Sequence, residues 1–95
     1  ALYLHRRDPA LAREILLLDK AHHPRDKVCA GGLIPQTIDC LDELDVPLAV
    51  PYVRVDNAEV LVPGSTVAYR GQNLCRVVRR NEFDALLART CVDRG

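Results

Sequence analysis

The apolar residues of this chain fall into separate groups with turn chemistry between them. At the N-terminus, Leu2 and Tyr3 with His5 and Arg6 leave one apolar and one polar side. Arg6 and Arg7 suit a helix C-terminus, so Ala1–Arg7 reads as the end of a helix. Asp8-Pro9 breaks it. Ile15 to Leu18 is continuously apolar and bounded by turn signals, the pattern of a strand buried on both faces in a parallel sheet. A helix end, a short connection and a buried strand form the second half of a βαβ unit. Asp19 closes that strand.

Residues 20–32 read as a loop, with Gly31-Gly32 supplying unusual backbone angles or a close approach to a ligand. Ile34 to Leu44 reads as a helix. Pro35 suits its first turn, and Ile34, Ile38, Leu41 and Leu44 recur at helical spacing opposite Asp39, Asp42 and Glu43. Asp45-Val46-Pro47 ends it. Val53 to Val62 alternates loosely, Pro63-Gly64-Ser65 turns the chain, and Thr66 to Tyr69 returns, giving a β-hairpin. Gly71-Gln72-Asn73 reads as another turn before a third extended piece, Leu74 to Val78. The last helix spans Asn81 to Val92, with Asn81 as N-cap and Phe83, Leu86, Leu87, Thr90 and Cys91 as its buried stripe. Gly95 suits a helix C-cap.

Length and composition narrow the classes. Ninety-five residues allow one small, marginally stable domain, and a hydrophobic fraction of 48% argues against disorder. Thirteen basic and thirteen acidic residues cancel, which gives no electrostatic case for nucleic acid. No apolar run approaches the ~20 residues needed to span a bilayer, and no secretory signal is visible. The chain contains no Met, so it is expected to be a piece of a longer protein. Cys29, Cys40, Cys75 and Cys91 include no Cys-x-x-Cys pair, which argues against zinc, and nothing marks secretion, so they read as reduced thiols. Cys40 and Cys91 fall on predicted helix faces as small core residues. His22-His23 has no third ligand at a useful spacing and reads as exposed loop histidines.

Three constellations could carry chemistry. Asp19, at the C-terminal end of a buried parallel strand, would face the crevice where such sheets bind ligands, and a carboxylate can take two ribose hydroxyl donors at once. A solvated strand end is the competing account. Lys27-Val28-Cys29-Ala30-Gly31-Gly32 could present successive backbone N–H groups as an anion nest, or be a plain loop before a helix. Arg79-Arg80, entering the last helix, could reach a phosphate or carboxylate, or be a solvated pair.

Together these residues resemble a known family. The helix end Ala1-Leu2-Tyr3-Leu4-His5-Arg6-Arg7, then Ile15-Leu16-Leu17-Leu18-Asp19-Lys20, then Pro24-Arg25-Asp26-Lys27-Val28-Cys29-Ala30-Gly31-Gly32-Leu33 and then Val78-Arg79-Arg80-Asn81-Glu82-Phe83-Asp84-Ala85-Leu86-Leu87 are similar to the N-terminal part of the geranylgeranyl reductases. These are FAD-dependent oxidoreductases of the p-hydroxybenzoate-hydroxylase-like class. The resemblance implies an α/β, partial Rossmann-like FAD-binding domain over residues 1–95, truncated at both ends and without the Gly-x-Gly-x-x-Gly turn. It implies FAD as cofactor and reduction of isoprenoid carbon–carbon double bonds by the parent protein. It assigns Asp19, with Lys20 beside it, to the adenosine ribose, Cys29, Ala30 and Gly32 to the loop beside the flavin, and Arg80 to cofactor contact, with Arg79 replacing it if the register slips by one. Ala30 stands where the family usually has glycine. A monooxygenase or halogenase of the wider class is the alternative enzyme, against which Cys29 favours the reductases. A small non-enzymatic binding module is the alternative outside enzymes. The parent is expected in the cytoplasm, with membrane association open because its substrates would be prenyl lipids. The isolated 95 residues are not expected to bind FAD tightly.

Overall fold

Pro63-Gly64 reverses the chain between two long strands. Gly64 takes φ +78° behind Pro63, the residue order of a type II turn. The computed structural model describes residues 1–95 and contains α1 (Leu2–Arg7), α2 (Pro9–Ala12), β1 (Gly32–Leu33), α3 (Pro35–Glu43), β2 (Tyr52–Val62), β3 (Ser65–Val78) and α4 (Arg80–Asp93). The three strands form one antiparallel sheet in the order β1-β3-β2.

The chain is therefore mixed α/β, but the expected parallel sheet is not formed. Ile15 to Leu18 is not a strand, and Leu16, Leu17 and Leu18 are 78%, 64% and 85% exposed. An apolar run becomes a buried strand only where neighbours supply a hydrogen-bond ladder. Here β1, β2 and β3 pair with one another, and Ile15–Leu18 joins neither edge of their sheet, so it has no ladder.

The hairpin is longer than its pattern suggested. Thr66–Tyr69 and Leu74–Val78 belong to one strand, and the expected turn at Gly71-Gln72-Asn73 is a bulge within it. The register shifts between Val55↔Cys75 and Asn57↔Arg70. Asn73 takes φ +58°, and its N–H donates to Asp56 Oδ1 at 2.6 Å, which satisfies a donor the ladder leaves over. The far half of the hairpin projects from the core. The radius of gyration is 16.5 Å, against about 12 Å for a compact chain of this length.

The core is small and lies at the near end of the sheet. Leu33, Leu41, Leu44, Val46, Val78 and Phe83 are its buried members, flanked by Leu2, Ile38, Leu48, Val50 and Leu87. The stripe expected on α3 is buried at Leu41 and Leu44, while Ile34 is exposed. Cys40 is exposed rather than a core residue, on the side of α3 where the Tyr3 hydroxyl of α1 donates to Glu43 Oε2 at 2.7 Å. On α4 the helix begins at Arg80 with Arg79 as N-cap, so Asn81 sits inside the first turn. The far end of α4 is clipped to the end of α3 by Arg94, which donates to the carbonyls of Leu44 at 2.6 Å and Asp45 at 2.8 Å.

Two helix ends follow directly from their residues. Asp8-Pro9 stops α1 and starts α2, since Asp8 Oδ1 accepts the Leu11 N–H at 3.0 Å and Pro9 needs no donor there. At the end of α3, Val46 N–H reaches Leu41 O at 2.9 Å and Asp45 N–H reaches Asp42 O at 3.1 Å, the paired bonds of a Schellman motif. The left-handed position at φ 52° is held by Asp45, not glycine. Asp45→Gly removes that strain and is expected to stabilise the domain by about 0.5–1 kcal/mol, read as a higher thermal midpoint by circular dichroism.

Candidate functional site

The pairing of β1 with β3 builds the site. Gly32 faces Val77 and Leu33 faces Arg76, and the Val78 N–H donates to Gly31 O at 3.0 Å. Continuing that register outward brings the loop before β1 against the start of α4. Cys29 Sγ thus accepts from Arg80 Nη1 at 3.4 Å, across 51 residues of chain. The Gly31 N–H donates to the same sulfur at 3.4 Å. Together these two donors, Gly31 first, and the nearby Lys27 charge hold the Cys29 thiol below its ordinary range.

Arg80 is held from its other side. Its Nε and Nη2 donate to the two oxygens of Asp84 at 2.8 and 3.0 Å, a bidentate pair one helical turn apart. That pair keeps the Asp84 carboxyl below the usual carboxylate range and raises the Arg80 guanidinium further. Arg25 then links Asp84 to Asp19, with Nη2 3.6 Å from Asp84 Oδ2 and Nε 3.4 Å from Asp19 Oδ2. Asp19 Oδ1 accepts the Ala21 N–H at 3.0 Å, and His23 Nε2 lies 3.5 Å from Oδ2. The Ala21 bond first, then Arg25 and His23, hold Asp19 below the ordinary carboxylate range.

Asp19, Cys29 and Arg80, which the sequence offers as separate candidates, are therefore joined in one polar chain through Arg25 and Asp84. Of the two arginines, Arg80 is the one that reaches the loop; Arg79 caps the helix and is exposed. Lys20 is exposed and lines a groove with Asp19, Arg25, Asp26 and Lys27. A second groove, between Asp26–Cys29 and Val78–Asn81, shares Asp26 and Lys27 with the first. Ala30 is exposed on the loop. The sequence patterns single out neither Arg25 nor Asp84 as a site residue. The four-residue spacing of Arg80 and Asp84 on a helix could have flagged the second, whereas Arg25 depends on a loop path that no local pattern encodes.

The two glycines divide their roles differently from the expectation. Gly31 is buried at φ +73°, and a Cβ there would overlap the Val78 carbonyl oxygen. Gly32 is exposed, with nothing within 4 Å of where a Cβ would lie. Gly31 is thus required by the fold, while Gly32 leaves open space beside the loop.

No protein-family model matches the chain, no curated protein matches it, and no solved structure matches its fold.

Proposed function

We propose that this chain is part of an FAD-dependent oxidoreductase similar to the geranylgeranyl reductases, acting on carbon–carbon double bonds of isoprenoid substrates. The convergence of Cys29 with Arg80 carries this reading. The two residues come from two of the four runs on which the resemblance rests, and the β1–β3 register brings them together at 3.4 Å.

The residues present fit such a cofactor. The Asp26–Cys29 loop is open to solvent, with Val28 fully exposed, and Gly32 leaves room for close approach. Asp19 would accept ribose hydroxyls; its carboxylate is 41% exposed and ionised. Arg80 would orient a polar or anionic edge of the cofactor, and Cys29, Ala30 and Gly32 would line its side. Bound FAD supplies hydride transfer, while the protein binds and orients. The exposed Ile15–Leu18 run would pair in a parallel sheet with strands outside these 95 residues. That pairing would set Asp19 at a strand end, where such sheets bind nucleotides.

The test is a fluorescence titration of FAD onto the intact protein that carries these residues. Asp19→Ala is expected to weaken binding by about tenfold or more, because hydrogen bonds to a charged acceptor contribute roughly 1.5–3 kcal/mol and each 1.4 kcal/mol is tenfold. Unchanged affinity would remove Asp19 from the site. An intact protein that takes up no flavin would overturn the reading and favour a non-enzymatic module.

A further inference from the structure

The Cys29 sulfur meets only one of the three nitrogens of Arg80; the other two are taken by Asp84. A guanidinium is a rigid planar fork, so fixing two of its nitrogens fixes the direction of the third. Asp84 is itself held, with its side chain only 10% exposed and Arg25 on its outer oxygen at 3.6 Å. Arg80 has a long flexible stem and is 27% exposed, so without Asp84 it would gain rotamers that leave the sulfur.

We infer that Asp84 is a positioning residue, whose carboxylate aims the Arg80 guanidinium at Cys29 and so fixes the loop side of the site to helix α4. The inference deepens the flavin reading and rests on it for its consequence to a cofactor, but its geometry stands within this chain.

The alternative role for Asp84 is that of a plain negative charge, and the two roles predict opposite signs. The charged groups around Cys29 are Arg80 and Asp84 from α4, Arg79 at its N-cap, and Lys27, Asp26 and Arg25 from the loop. As a charge, Asp84 destabilises the thiolate, so removing it would make Cys29 ionise more readily. As a positioning residue it keeps Arg80 on the sulfur, so removing it makes Cys29 ionise less readily.

The experiment is the pH–rate profile of Cys29 alkylation by iodoacetamide, followed by mass spectrometry on the intact protein. Asp84→Ala is expected to raise the midpoint and slow alkylation near neutral pH by about three- to tenfold, since the thiolate is the reacting form. Arg80→Gln should do the same, and the double variant should add little to either, as expected for residues acting through one contact. If Asp84→Ala fails to fold, Asp84→Asn, which keeps the shape and one acceptor, replaces it and carries the same sign at smaller amplitude. A midpoint that stays or falls on loss of Asp84 overturns the inference, even in a protein that binds FAD. A raised midpoint in a protein that does not bind FAD upholds it and defeats only the flavin reading.

Discussion

Gly31→Ala is expected to lower the thermal midpoint by more than about 10 °C, or to abolish cooperative folding. Gly31 is buried at φ +73°, where an L side chain is strained, and its Cβ would overlap the Val78 carbonyl oxygen. Relief requires β1 to move away from β3. That breaks the 3.0 Å bond from the Val78 N–H to Gly31 O and disturbs Leu33 and Val78, two of the six buried apolar residues. A cost of about 2–4 kcal/mol is typical of such backbone conflicts, and each kcal/mol moves the midpoint of a domain this size by roughly 4–8 °C. With so small a core there is little stability to absorb it. Gly32→Ala is the control. Its Cβ meets open space and its φ is not in the left-handed region, so its midpoint should match the parent or exceed it slightly. Equal midpoints for the two variants, measured by circular dichroism, would show that Gly31 is not the fixed point described here.

Helices α1, α3 and α4 and the hairpin were legible because each carries its own signal, whereas α2, at Pro9–Ala12, was hidden behind an Asp-Pro break. Leu41 and Leu44 sit where the period places them, and Pro63-Gly64 marks the reversal without ambiguity. Ile15–Leu18 was not legible, because a continuous apolar run states that a segment prefers burial and not what will bury it. Asp45 hid its left-handed conformation behind a residue that seldom adopts it, and Gly71-Gln72-Asn73 looked like a turn because a bulge uses the same residues. The site divides in the same way. Cys29 and Arg80 stood out by motif, and Asp84 follows Arg80 at helical spacing. Their meeting depends on the β1–β3 register, which pairs residues more than 40 positions apart and leaves no local trace.

That register supports the second large effect: FAD should shield Cys29. The sulfur lies at the mouth of a groove between Asp26–Cys29 and Val78–Asn81, on an exposed residue. A cofactor seated along this loop would cover it. At a concentration ten times its Kd, FAD leaves about a tenth of the protein free, so alkylation of Cys29 should slow by about tenfold. Cys40 is also exposed but lies on α3, away from the groove, so it serves as the internal reference.

The most direct measurement is therefore the iodoacetamide alkylation rate of Cys29 relative to Cys40 in the intact protein, with and without FAD at ten times its Kd. The account predicts that FAD slows Cys29 by about tenfold and leaves Cys40 unchanged. A Cys29 rate unaffected by bound FAD would contradict it, because the loop would then not lie beside the cofactor.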